Sequence, residues 1–248
     1  METAAEIIWL DTVDSTSDEL RRRIPHAENL TVVAAVEQTA GRGQRGNKWL
    51  TRPGENITLS VLVRPGNDGI PPLKASDAFR LTACTALSVA EYISSKGVRC
   101  SVKWPNDIYC GDRKISGMLI ESSISEGYIT DSIIGIGINL NQTAFPPEVF
   151  NPTSLKRITG SDYDIRIESE ILVGILVKNL LSFDSSSLMP DFNSSLYRKD
   201  GFYSFTDCSD GTTFEAKIDK VDTSGKLHLT LKNGRSKSFS FKEVSFII

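Results

Sequence analysis

Histidine is scarce in this chain: His26 and His228 are the only two in 248 residues. That argues against a histidine-ligated metal site and against a serine–histidine–aspartate triad. Cysteine is sparse too. Cys84, Cys100, Cys110 and Cys208 show no C-x-x-C spacing, so they read as reduced, partly buried thiols rather than as a metal or disulfide framework. No apolar run is long enough to span a bilayer, and Met1 leads directly into ETAAEIIWLDTVDS without a signal-peptide pattern. The expectation is a cytoplasmic protein with no membrane partner. A basic excess is also missing. Lys and Arg number 28 against 31 Asp and Glu, a net charge of −3, which argues against a general nucleic-acid-binding surface and leaves room only for a local patch.

What is present is an ordinary globular composition on a chain long enough for one large domain, or a main domain with a small one. Strands are expected at 6–10, 31–38 and 56–63, with a capped helix over 15–24 and a long apolar helix over 73–95. The segments RCSVKW, DIYC, RKISGMLIES and YITDSIIGIGINL read as four further strands, 141–162 as loop, and 165–181 and 187–199 as helices. After Asp200-Gly201 the texture changes to short strands separated by Asp210-Gly211, Ser224-Gly225 and Asn233-Gly234, the pattern of a small all-β module. The expected division is therefore 1–199 and 200–248, in an α+β chain.

Three stretches carry chemistry. Gly41-Arg42-Gly43-Gln44-Arg45-Gly46 is a literal G-x-G-x-x-G after a strand. A dinucleotide turn needs a helix directly after its glycines, to aim backbone N–H groups at a pyrophosphate. Here NKWLTRPGEN follows, with no helical period, and no acidic residue stands near twenty positions on. The charges suggest another anion site: Arg42, Arg45, Lys48 and Arg52 occur with no acid before Glu55. A glycine-hinged cationic loop closes over phosphate or carboxylate; a solvated basic loop is the plainer alternative, though Trp49 beside it should pack on something.

The second stretch is VKWPNDIYCGDRKISGMLIES, 102–122. A two-residue Gly111-Asp112 turn pairs Cys110 with Arg113, Tyr109 with Lys114, Ile108 with Ile115 and Asp107 with Ser116. Asp107, Tyr109, Lys114 and Ser116 then share a face, with Asp107 and Lys114 as diagonal neighbours; a surface ion pair is the alternative. Lys103-Trp104-Pro105 should hold the entering strand extended. The third is IIGIGINLN, 133–141. Ile134, Ile136 and Ile138 face one way, and Gly135, Gly137 and Asn139 the other. A bare glycine face admits a ligand or a tightly packed helix.

Together these stretches resemble the biotin–protein ligases. The resemblance runs from DSTS (14–17) and EQTAGRG (37–43) through GNKW, KWPND, RKISGMLIE and IGIGINLN to FP (145–146) and TSL (153–155). It implies a mixed β-sheet with helices packed on one side, as in class II aminoacyl-tRNA synthetases, followed by a small SH3-like β-barrel. It implies ATP-dependent activation of biotin to biotinyl-5′-adenylate, with Mg²⁺ accompanying ATP and no metal site assigned to protein ligands. Biotin is then transferred to a lysine of a biotin carboxyl carrier protein domain. By resemblance, Ser15, Thr16, Ser17, Gln38, Arg42, Gly43, Gln44, Lys114, Gly117 and Gly135 bind biotin. Arg45, Lys48, Trp49, Lys103, Asn106, Gly137 and Asn139 serve the nucleotide, and Lys114, Arg42 and Asp107 the reaction. Gln44 stands where some members carry another arginine, Ser17 where an Asn is common, and several barrel glycines are replaced, as in FEAKIDKV. The short stretch before EIIWL leaves no room for the DNA-binding winged helix of some members, so a ligase without repressor function is expected. The nearest rival is a lipoate or octanoate ligase or transferase of the same fold, whose glycine-rich segment differs.

Overall fold

The computed structural model describes residues 6–248, and of Arg45 the backbone but not the side chain. Seven strands form the main sheet: β1 (Ile7–Val13), β2 (Val32–Gln38), β3 (Asn56–Val63), β4 (Ser101–Lys103), β5 (Asp107–Cys110), β6 (Arg113–Ser125) and β7 (Tyr128–Asn139), in the order β1-β2-β3-β7-β6-β5-β4. Only β1 and β2 run parallel, and every other neighbour pair is antiparallel. Five helices accompany it: α1 (Thr16–Arg23), α2 (Phe79–Ser95), α3 (Leu155–Thr159), α4 (Ile165–Leu180) and α5 (Leu188–Ser194). A second sheet, β8 (Tyr203–Asp207), β9 (Thr213–Val221), β10 (Leu227–Leu231), β11 (Ser236–Phe239) and β12 (Val244–Phe246), is antiparallel throughout in the order β11-β10-β9-β8-β12. The mixed sheet with helices and a separate C-terminal β unit is the expected fold class. No helix among the described residues is long and apolar enough to cross a membrane.

The two faces of the main sheet are set by period-2 alternation. Val61, Ile134, Ile136 and Ile138 join the large core shared with α2 and α4, as expected for the isoleucines of β7. The opposite face is apolar only at one end, where Leu20 of α1 packs with Val33, Leu62 and Ile133. Thus α2, α4 and α5 take one side, and α1 alone covers part of the other. Helix α1 starts where Ser15, extended at its backbone, accepts from the Asp18 N–H at 3.4 Å. Asp18 and Glu19 in the first turn and Arg21, Arg22 and Arg23 in the last complement the helix dipole.

Several local readings need correction. The segment 141–162, expected as loop, carries α3, whose start is capped where the Ser154 side chain accepts from the Arg157 N–H, and the helix expected over 187–199 stops at Ser194. The helix expected over 73–95 begins only at Phe79, after a single 3₁₀ turn at Ala75–Asp77. The β5–β6 hairpin keeps the Cys110–Arg113 and Tyr109–Lys114 pairs, but Ile108 then pairs with Ser116 and Asp107 with Gly117. Ile115 is the extra residue of a β-bulge, which flips the remainder of β6 relative to simple alternation. Lys114 therefore shares its face with Asp107 and Gly117. Ser116 turns to the buried side, where its hydroxyl donates to the Gly137 carbonyl at 2.7 Å.

Candidate active site

A cleft of about 270 Å³ opens on the glycine face of the main sheet. Four segments build it: the start of α1, the loop 40–49, the β4–β5–β6 hairpins, and the β11–β12 segment of the second sheet.

One end is lined with hydroxyls. Thr16 Oγ1 lies 2.8 Å from Ser60 Oγ, and Ser17 Oγ lies 2.9 Å from the same atom. Gln38 Oε1 accepts from the Thr16 N–H at 2.8 Å and from its hydroxyl at 3.1 Å. None of the described hydrogen bonds uses Gln38 Nε2, which leaves an amide donor for a ligand. Ser15, Thr16, Ser17 and Ser60 are all buried, so this end is a polar pocket in a dry wall.

The floor needs its glycines. A Cβ on Gly135 would meet Ser17 Oγ at 2.8 Å, and one on Gly137 would meet the Trp49 indole at 2.2 Å. Trp49 thus lies flat on the floor, and its Nε1 is the one buried side-chain N or O among the described residues without a hydrogen-bond partner. An unpaired buried donor costs about 1–3 kcal/mol, a cost that a ligand offering an acceptor would remove.

The far wall carries the ammonium of Lys114, 2.6 Å from the Asp107 carboxylate and 5.9 Å from the Trp49 ring centroid. The backbone of Lys114 is pinned by the loop before α3: its N–H donates to the Asn151 carbonyl and its carbonyl accepts from the Thr153 N–H, each at 2.8 Å. Lys103 follows on β4, its ammonium 5.3 Å from the Tyr109 ring and 5.0 Å from the Phe246 ring. Burial pushes its pKa down and the charge of Lys114 adds to this, while Asp107 opposes both.

The loop folds back on itself. Gly43 N–H donates to Asn47 O at 2.7 Å and Trp49 N–H to Gly41 O at 2.9 Å, around a one-turn 3₁₀ helix at Gln44–Gly46. No longer helix follows, in agreement with the reading that this is not a dinucleotide turn. Arg42 lines the cleft but is not a free cation. Its Nη1 reaches Asp18 at 2.5 Å and its Nη2 reaches Glu121 at 2.6 Å, while Arg21 binds the same two carboxylates at 2.6 and 2.8 Å. Burial works against the Arg42 charge, but Glu121 and Asp18 outweigh it and raise the pKa.

Most residues expected at the site thus meet in one cleft: Ser15, Thr16, Ser17, Gln38, Arg42, Gly43, Gln44, Lys48, Trp49, Lys103, Asn106, Asp107, Lys114, Gly117, Gly135 and Gly137. Asn106 spends its amide on the Met118 carbonyl and so holds the hairpin. Asn139 lies in an adjoining depression with Trp49, Phe145 and Phe150, its amide on Thr153 O at 2.9 Å. The side chain of Arg45 lies outside what is described. Sequence reasoning missed Ser60, which backs the cleft through Thr16 and Ser17 and is one of three polar residues in NITLSVLV, with Asn56 and Thr58. It also missed Phe241, Lys242, Val244, Ser245 and Phe246 of the second sheet, which line the same cleft. Among the described residues no group of three or more His, Cys, Asp or Glu could hold a metal ion.

This arrangement has known counterparts. Residues 9–139, just over half of the chain, match the biotin/lipoate A/B protein ligase family. The bifunctional ligase/repressor BirA of Bacillus spizizenii is 36% identical over 165 residues, covering 64% of this chain and 48% of that protein. The biotin–[acetyl-CoA-carboxylase] ligase of Paracoccus denitrificans is 30% identical over 193 residues, covering 76% of this chain and 79% of that one. Among solved structures, the biotin protein ligase of Aquifex aeolicus in complex with biotin and ATP superposes with a TM-score of 0.76 at 28% identity, covering 97% of both chains. The chain spans about half the length of the bifunctional relatives it matches. By the match over its main sheet and the similarity to these proteins, the chain belongs to the biotin/lipoate A/B protein ligase family.

Proposed function

We propose that this protein condenses biotin with ATP to form biotinyl-5′-adenylate, then transfers the biotinyl group to a lysine of a carrier protein domain. In the first step the biotin carboxylate oxygen attacks the α-phosphorus and pyrophosphate leaves. In the second, a carrier amine attacks the acyl carbon, AMP leaves and the amine loses a proton.

One observation carries this reading: a buried cluster of hydroxyls and a carboxamide at one end of the cleft, and an ammonium at the other, across a glycine floor. A ureido ring offers one acceptor and two donors, which suits Ser15, Thr16, Ser17 and Gln38. The dithiolane of lipoate would offer no acceptor to the free Nε2 of Gln38, at a cost in affinity. The family itself includes both chemistries, and the relatives above are named for biotin.

Bringing carboxylate and phosphate together requires fixed positive charge, and the Lys114 ammonium meets that need. Arg42, held by Asp18 and Glu121, acts first as the fastener of the loop. Gly43, Gln44, Arg45 and Lys48 would close over the reacting groups and keep water from the mixed anhydride. Trp49, Lys103, Asn106, Gly137 and Asn139 would serve the nucleotide. Asp107, paired to Lys114, is the group available to take the proton of the carrier amine. With no acidic trio in the described residues, Mg²⁺ would arrive with ATP, held mainly by phosphate oxygens and water. The segment 200–248 would then be a separate C-terminal domain that completes the cleft rather than an appendage.

The test is to mix the protein with biotin, ATP, Mg²⁺ and a biotin carboxyl carrier domain and weigh the carrier. A gain of one biotinyl group on one lysine is expected. An unchanged carrier, or a gain with lipoate in place of biotin, would overturn the reading.

A further inference from the structure

The second sheet reaches the cleft through strand β12 and the turn before it, Ser240–Phe241–Lys242–Glu243, which is closed by Glu243 N–H to Ser240 O at 3.1 Å and by Ser240 N–H to the Glu243 carboxylate at 2.6 Å. Lys242 is the third residue of that turn, with φ of 71°. This left-handed conformation favours glycine and strains a residue with a long side chain. Of the six non-glycine residues with positive φ among those described, Lys242 alone lines the cleft.

Its neighbours are fastened on both sides. Phe241 meets the ring of Trp104 edge-on at 6.0 Å, and Phe246 lies 5.0 Å from the Lys103 ammonium. Trp104 Nε1 also donates to the Gly225 carbonyl at 3.0 Å, which ties the β9–β10 turn to the same hairpin. The turn is therefore held at the rim of the cleft, and Lys242 at its apex is exposed.

The charges lining the cleft are unevenly used. Arg42 is matched by Asp18 and Glu121, and Lys114 by Asp107. Lys48, Lys103 and Lys242 line the cleft without an ion-pair partner among the described residues, and of these Lys242 alone comes from the second sheet. A nucleoside triphosphate brings its charge mainly on the β- and γ-phosphates, which become the leaving pyrophosphate.

Resting on the proposed function, we infer that Lys242 is a polyphosphate-binding residue, lent by the C-terminal sheet to the β- and γ-phosphates of ATP. The strained backbone is kept because glycine could not supply the charge.

The inference separates cleanly from a structural role, because Lys242→Gly should relieve the turn. Titration calorimetry on the full chain would compare the parent, Lys242→Gly, Lys242→Arg and Lys220→Gln, the last removing an exposed cation of the same sheet that does not line the cleft. Lys242→Gly should melt no lower than the parent and bind Mg·ATP and inorganic pyrophosphate about tenfold more weakly, the size of one lost charge-assisted hydrogen bond. AMP, which lacks the β- and γ-phosphates, and biotin should bind as before, and Lys242→Arg should retain most of the ATP affinity. Unchanged ATP affinity in Lys242→Gly, an equal loss for AMP, or the same loss in Lys220→Gln would overturn the inference and leave the functional reading standing. A parent protein that binds neither biotin nor ATP would overturn both.

Discussion

The Lys114 ammonium and the Asp107 carboxylate lie 2.6 Å apart, and a single extra residue in β6, Ile115, turns Gly117 onto the face that the pair shares. Without the bulge, Gly117 and Leu119 would fall on the opposite face from Lys114, and the ammonium would no longer stand beside the glycine floor. The functional reading depends on this pairing more than on any other contact in the cleft.

Removal of Lys114 should therefore abolish adenylation while leaving the fold. Lys114→Ala is expected to slow adenylate formation by about 10²–10³, the usual effect of losing one preorganised charge donor. Lys114→Gln, which keeps a hydrogen-bond donor for Asp107, should melt nearer the parent and still be slow. Far-ultraviolet circular dichroism and single-turnover assays would check both.

Gly137 leaves no room for a side chain. A methyl group there would lie 2.2 Å from the Trp49 indole, so Gly137→Ala should lift Trp49 off the floor and misplace the loop. A displacement of about 1 Å at a reacting centre can cost about 100-fold, and a loss of that order is expected in adenylation. Trp49→Phe should retain stability, since it removes the unpaired Nε1 donor. It should also lose most of any change in tryptophan fluorescence that biotin and ATP produce in the parent.

The loop is latched through Glu121. Glu121→Gln leaves Arg42 with Asp18 as its one carboxylate partner. Partly exposed ion pairs are worth under about 1 kcal/mol, so opening should rise by up to about fivefold. Limited trypsin digestion would read this as faster cleavage after Arg42 or Lys48. Biotin with ATP should protect the parent at the same bonds, and equal cleavage rates in the two proteins would contradict the latch.

Lys103 should trade stability for binding. Burial lowers its pKa from 10.5, so the folded state holds its proton less tightly than the unfolded chain does. The stability linked to the neutral amine is present above the unfolded value and is lost as pH falls through the folded one, so at neutral pH the charge is a cost. Lys103→Met should therefore raise the melting temperature at pH 7, with the gain shrinking towards pH 10. It should also weaken ATP binding. Thermal denaturation across that range and calorimetry would decide it.

Parts of this site were legible because their signals are local. Alternation alone separated Ile134, Ile136 and Ile138 from Gly135, Gly137 and Asn139, and Gly111-Asp112 fixed the first two pairs of the hairpin. The bulge at Ile115 was not legible, since a run of β-branched and small residues carries no mark of one unpaired position. The partners of Arg42 come from α1 and from β6, 24 and 79 residues away, and no local pattern links such distant charges. The approach of Phe246 to Lys103 depends likewise on how the second sheet docks. Ser60 was not singled out either, because Asn56 and Thr58 place the same polar signal on its strand.

The most direct measurement is the formation of biotinyl-5′-adenylate by the purified protein, without a carrier, from biotin, ATP and Mg²⁺, followed by mass spectrometry alongside pyrophosphate release. One equivalent of bound adenylate with stoichiometric pyrophosphate is predicted, together with none from lipoate and almost none from Lys114→Ala. Adenylate formed at the parent rate by Lys114→Ala, or formed from lipoate in preference to biotin, would contradict the account.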